Sequence, residues 1–214
     1  MIGYYNYTVV LTFMSLISAL VGITLSIDGV HLGAIACLAL SGFFDMLDGP
    51  VARTKSDRSH DERLFGIQLD SLCDLVAFGV FPVVICFNLG VKGPIGFVVL
   101  IYFAVCGVIR LGYFNVRETN NFFSEEVHEK IFIGLPITSI AVVLPLVYLL
   151  STFMTDQAFV LVLHFVLLIV GTLFIGNFQV HKPKLRTLII FCVLVAIAIA
   201  AVAIIDFPHL IFEL

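Results

Sequence analysis

Residues 45–74 read DMLDGPVARTKSDRSHDERLFGIQLDSLCD, and two aspartate pairs within this stretch decide how the chain is read. Asp45 and Asp48 are spaced i, i+3, and Asp70 and Asp74 i, i+4, so on helices each pair projects from one face. The flanks are apolar, GAIACLALSGFF (33–44) before the first pair and LVAFGVFPVVICF (75–87) after the second. A short polar connection between them makes the two helices an antiparallel hairpin. Both acid pairs then meet near one membrane face.

Outward from this stretch the whole chain is apolar: 61% hydrophobic against 12% charged, with a mean hydropathy of +1.14. That lies far from the soluble balance of about half apolar and a quarter charged. Apolar runs recur at about the length that crosses a bilayer, near 6–27, 30–53, 64–89, 93–116, 131–152, 157–178 and 187–206. They lack the alternation of barrel strands, so the expectation is an all-α bundle of about seven spans, a single membrane domain over 1–214.

The basic residues orient it. Arg53, Lys55, Arg58, Arg63, Arg117, Lys130, Lys182, Lys184 and Arg186 all follow even-numbered spans, and Lys92 alone lies opposite. Those loops are expected in the cytoplasm, with the N-terminus inside. Met1 to Thr8 carry no Lys or Arg, so the first run lacks the basic start of a cleaved signal and is expected to stay in the mature protein. The small net charge of −4 implies no nucleic-acid partner. The polar stretch 117–130 reads as a hydrated loop or interfacial helix. Five cysteines (Cys37, Cys73, Cys86, Cys106, Cys192), an odd count with no CxxC, read as apolar packing.

An ionised Asp inside a membrane helix costs about 2.5–3.5 kcal/mol, so four together need cations. Oxygen ligands without His or Cys at ligand spacing suit Mg²⁺, Mn²⁺ or Ca²⁺, and two such ions would offset the charge and attract a diphosphate. Gly49, Ala52 and Gly66, close to the acids in sequence, open space for a ligand, and Pro50 frees the carbonyl of Met46. Two other readings stand beside this one: ion pairs with Arg53, Arg58 or Arg63, and a proton or cation pathway through a transporter. Against the second, these acids cluster towards one face, whereas transport carboxylates favour the midplane. Arg110 is the one basic residue well inside a span, and its partner is either a substrate carboxylate or a nearby Asp.

The pattern DxxDGxxAR…GxxxDxxxD, filled by Asp45, Asp48, Gly49, Ala52, Arg53, Gly66, Asp70 and Asp74, resembles the CDP-alcohol phosphatidyltransferase family. The 12 residues between Arg53 and Gly66 make a longer spacer than the family's. FGIQLDSLCDLVAFGVFP (65–82), RLGYFNV (110–116) and FIGLPITS (132–139) look like its phosphatidylserine synthase branch, with Gly112 and Tyr113 departing from the branch pattern. The resemblance implies transfer of a phosphatidyl group from CDP-diacylglycerol to L-serine with release of CMP. Other acceptor alcohols (glycerol phosphate, inositol phosphate, choline) remain open. It further implies Mg²⁺ or Mn²⁺ held by Asp45, Asp48, Asp70 and Asp74, with Asp74 as general base. Gly49, Ala52, Arg53 and Gly66 would line the nucleotide site, Arg110 would meet the acceptor, and the chain would form a homodimer in the cell membrane with its site facing the cytoplasm. The six His are scattered and read as surface or packing residues, and Ser71 as a packing hydroxyl or ligand contact.

Overall fold

The structure is a computed structural model that describes residues 3–212 apart from 5, 53, 56, 58, 124–130 and 182–184. It is helical almost throughout. In chain order the helices are α1 (Val10–Ile27), α2 (His31–Ala52), α3 (His60–Asp74), α4 (Phe81–Asn88), α5 (Gly93–Phe123), α6 (Ile140–Tyr148), α7 (Asp156–Ile175) and α8 (Leu185–Phe212). A π-helical stretch, Leu75–Val80, joins α3 to α4 without a break in the rod. Among the described residues five helical segments are long and apolar enough to cross a membrane: Tyr7–Ile27, His31–Ala52, His60–Asn88, Gly93–Asn120 and Asp156–Ile175. The apolar stretches Ile137–Phe153 and Ile190–Ile205 are shorter. This is a membrane-embedded helical bundle.

Small and hydroxylated residues let α1 and α2 approach closely. Ser15 and Ser41 join hydroxyls at 2.7 Å, and Ser18 donates to the Cys37 carbonyl at 2.9 Å. Such pairing satisfies polar groups where lipid offers no partner. Gly22 belongs to the same seam: a Cβ there would lie 2.1 Å from Phe81 Cζ and 2.7 Å from Cys37 Cβ. Gly22→Ala is therefore expected to overpack the α1–α2–α4 junction and cost about 1–3 kcal/mol, read as a lower melting temperature in detergent. An unchanged melting temperature would show that this junction is loosely packed.

The buried core runs from Ala19 on α1 to Val202 on α8, with Phe78, Phe81, Phe103 and Phe174 fully enclosed. The outward faces are apolar as well, among them Ile95, Val98, Ile101, Phe165, Ile197 and Ile204. Phenylalanine thus serves core and outward face alike, and the five cysteines are free.

Three departures from the expected boundaries have a local reason, and α8 also runs on to Phe212, past the expected end at 206. Helix α3 starts at His60 rather than 64, because Ser59 and Glu62 form a reciprocal capping box and Asp61 and Glu62 suit the positive end of the helix. Helix α5 continues to Phe123, past the expected end at 116. Its polar residues Arg117 to Asn120 are compatible with helix and need only water around them. The expected helix over 131–152 is instead a strand, a turn and the shorter α6. Gly134 sits at φ +74°, and Pro136 has no N–H to continue a ladder. The strand β1 (Ile131–Ile133) pairs antiparallel with β2 (Gln179–His181), Phe132 opposite Val180.

Candidate active site

Asp45 and Asp48 lie toward the C-terminal end of α2, and Asp70 and Asp74 in the last two turns of α3. The structure brings carboxylate oxygens of Asp45, Asp70 and Asp74 within 4.8 Å of one another. Asp45 of α2 lies against Asp74 of α3, and Asp48 against Asp70. Asp74 is only 9% exposed. The acids of two helices therefore form one cluster, crossed between pairs rather than divided along the helices.

A neutral donor completes part of it. The buried Thr12 of α1 donates to Asp48 Oδ2 at 3.3 Å. Asp70 Oδ1 is buried with no hydrogen-bond partner among the described residues. A carboxylate oxygen so placed costs free energy unless a cation meets it. Four carboxylates with an orphaned oxygen, an all-oxygen donor set and no His or Cys ligand together fit hard divalent ions such as Mg²⁺ or Mn²⁺.

The other expected residues are distributed as follows. Gly49 and Ala52 continue α2 beyond Asp48. Gly66 is on α3, one turn before Asp70, and a Cβ there would meet nothing within 4 Å among the described residues. Arg53 lies outside the described residues, as do Arg58, Lys130, Lys182 and Lys184 of the basic set and Glu125, Glu126 and Glu129 of the polar stretch. Arg110 on α5 is 6% exposed, and its Nε donates to the Leu135 carbonyl at 2.9 Å rather than to an Asp. Leu135 is itself held by its N–H on Leu173 O at 3.0 Å.

Several partnerships at the site are not readable from the sequence, although Ser71 itself is expected there as a packing hydroxyl or ligand contact. That of Thr12 is one. A second group joins α3 to α5: the buried Ser71 donates to Asn115 Oδ1, and Asn115 Nδ2 donates to Gln68 Oε1 at 3.3 Å. A third ties the N-terminal residues to the α2–α3 connection, where the Tyr4 hydroxyl donates to Asp61 Oδ2 at 3.3 Å and the Tyr7 hydroxyl meets Thr54 Oγ1 at 3.0 Å. The Tyr4 ring also rests edge-on against Phe65.

Comparison with known proteins agrees with this geometry. The chain is 33% identical over 127 residues to a CDP-diacylglycerol–serine O-phosphatidyltransferase of Mycobacterium bovis, covering 59% of this chain and 43% of that protein. It is 37% identical over 156 residues to one from Helicobacter pylori (70% and 59%). To the archaetidylserine synthase of Methanothermobacter thermautotrophicus it is 35% identical over 161 residues (74% and 65%). In each case the match spans less than two thirds of the relative's own length. The family model for CDP-alcohol phosphatidyltransferases matches residues 5–175, which take in all four aspartates, Arg110 and the α3–α5 contacts. The chain belongs to the CDP-alcohol phosphatidyltransferase family.

Proposed function

We propose that the chain transfers a phosphatidyl group from CDP-diacylglycerol to the hydroxyl of L-serine and releases CMP. The observation that carries this reading is the convergence of Asp45, Asp70 and Asp74 within 4.8 Å on the residues that spell the family motif. The names of the relatives above favour serine as the acceptor. Asp45, Asp70 and Asp74 would hold one divalent ion and Asp48 with Asp70 a second. Bound there, Mg²⁺ or Mn²⁺ supplies Lewis-acid polarisation of the diphosphate and charge for the leaving group.

The chain's own residues do the rest. The serine oxygen attacks the lipid-bearing phosphorus, the bond from that phosphorus to the CMP oxygen breaks, and Asp74 takes the hydroxyl proton. Gly49, Ala52, Arg53 and Gly66 line the nucleotide, and Arg110 meets the serine carboxylate. The position near one end of the helices has a physical logic: a water-soluble nucleotide and a bilayer-held diacyl tail can share a site only near the interface. The test is purified protein with CDP-diacylglycerol and Mg²⁺ or Mn²⁺, assayed for CMP release against serine, glycerol phosphate, inositol phosphate and choline. CMP release that peaks with serine supports the reading; no CMP with any acceptor, beside cation uptake into vesicles, would replace it with transport.

The nucleotide wall gives a sharper expectation. Gly66→Ala should leave the fold intact or slightly firmer, by about 0.5–1 kcal/mol, since Ala favours helix and the space is open. It should nonetheless raise the KM for CDP-diacylglycerol. A KM equal to wild type would remove Gly66 from the nucleotide site.

The whole chain is read as one catalytic domain of seven spans, a multi-pass protein of the cell membrane that works as a homodimer, with the N-terminus and site in the cytoplasm. In a cysteine-free background, Lys55→Cys should react with an impermeant thiol reagent only from the cytoplasmic side and Lys92→Cys only from outside. The reverse pattern would overturn the orientation.

A further inference from the structure

The π-helical stretch Leu75–Val80 begins at the residue after Asp74, and the Phe81 N–H closes on Val76 O, five residues back. The wider winding fits Pro82, which has no N–H to give and whose ring would strike the carbonyl four residues earlier in an α ladder. The winding also offsets the face that α3 presents from the face that α4 packs. Asp70 and Asp74 meet Asp45 and Asp48 at one rotation of α3, and a contact at their own level holds that setting as well.

The contact at that level is polar. Ser71, between the two acids in sequence and 5% exposed, donates to Asn115 Oδ1, while Asn115 Nδ2 donates to Gln68 Oε1 at 3.3 Å. Asn115 thus grips α3 at two points that bracket Asp70, from the side of α5, while Asp45 and Asp48 approach from α2. The buried Ser71 hydroxyl resists rotation, because turning α3 would take it from the half-buried Asn115 and leave it unsatisfied among apolar side chains.

We propose that Asn115 is a positioning residue for the aspartate cluster: through Ser71 it fixes the rotation at which α3 presents Asp70 and Asp74 to the metal ions. This rests on the reading of those acids as metal ligands. Residues that orient ligands typically change metal affinity or activity by about 10–100-fold when removed.

The test is Mn²⁺ binding to the purified full chain without substrate, followed by electron paramagnetic resonance, alongside kinetics. Asn115→Leu and Ser71→Ala should each weaken Mn²⁺ binding by about tenfold or more, and the double variant should lose no more than either alone. Ser71→Thr, which keeps the hydroxyl, should bind near wild type; with Ser71→Ala it carries the test if Asn115→Leu does not fold. Asp70→Asn separates the two readings. If it leaves Mn²⁺ binding unchanged, the metal reading itself fails. Where Asp70→Asn abolishes binding but Ser71→Ala and Asn115→Leu bind like wild type, the positioning role is overturned. A rise in the serine KM alone, with Mn²⁺ binding intact, would likewise overturn it and make Asn115 an acceptor contact.

Discussion

Asp74→Asn is expected to lower kcat by about 10²–10⁴-fold, and further where its metal contact is lost, while the variant still folds and keeps much of its CDP-diacylglycerol binding. The amide keeps the size and polarity of the carboxyl group but cannot take the serine proton. Asp74 suits the role because it is the most enclosed of the four acids, at 9% exposure, and it faces Asp45 across the cluster. Asp45→Asn and Asp48→Asn should behave differently, weakening metal dependence and nucleotide binding together. The comparison is made by single-turnover CMP release and by equilibrium binding of the CDP-lipid. Turnover near wild type at about pH 7 would remove Asp74 as the base.

The second large effect concerns the acceptor. Arg110→Ala should raise the KM for serine by about 30- to 160-fold, the equivalent of about 2–3 kcal/mol for a charge-assisted contact. The KM for CDP-diacylglycerol should move far less. The structure sharpens the reason. Burying a guanidinium among apolar helices is tolerated only with partners, and the Leu135 carbonyl engages Nε. That bond orients the planar group and leaves its terminal amino groups as the donors that can bracket a carboxylate. Ethanolamine, which lacks the carboxylate, should be a poor acceptor for the wild-type protein. Equal losses for both substrates, or efficient use of ethanolamine, would show that Arg110 serves only to hold the Leu135 segment.

What the sequence made legible follows from how local each signal is. The two aspartate pairs were readable because helical spacing alone places Asp45 with Asp48 and Asp70 with Asp74, and the membrane penalty then demands a shared counter-charge. The family was readable from the same eight positions. By contrast, the Thr12 bond to Asp48 and the Ser71–Asn115–Gln68 chain join residues far apart in sequence. Ser, Thr and Asn are common in membrane helices, and only packing decides which of them meet. The break at Gly134 and Pro136 did carry a local signal, as did the capping box at Ser59, but the run of apolar residues over 131–152 masked the first. The partner of Arg110 was illegible for another reason: it is a backbone carbonyl, which every residue offers.

The anchoring of Leu135 also bears on the order in which the protein is made. Arg110 is held by Leu135, Leu135 by Leu173, and Gly134 by Phe178, where β2 follows to pair with β1. A Cβ on Gly134 would fall 2.9 Å from the carbonyl oxygens of Phe174 and Gly176, so the two segments meet backbone to backbone. A nascent chain that has inserted its aspartate hairpin and α5 therefore still lacks the far wall beside Arg110. That wall closes only once α7 and β2 have left the ribosome and folded back, after the aspartate hairpin and α5 have been made.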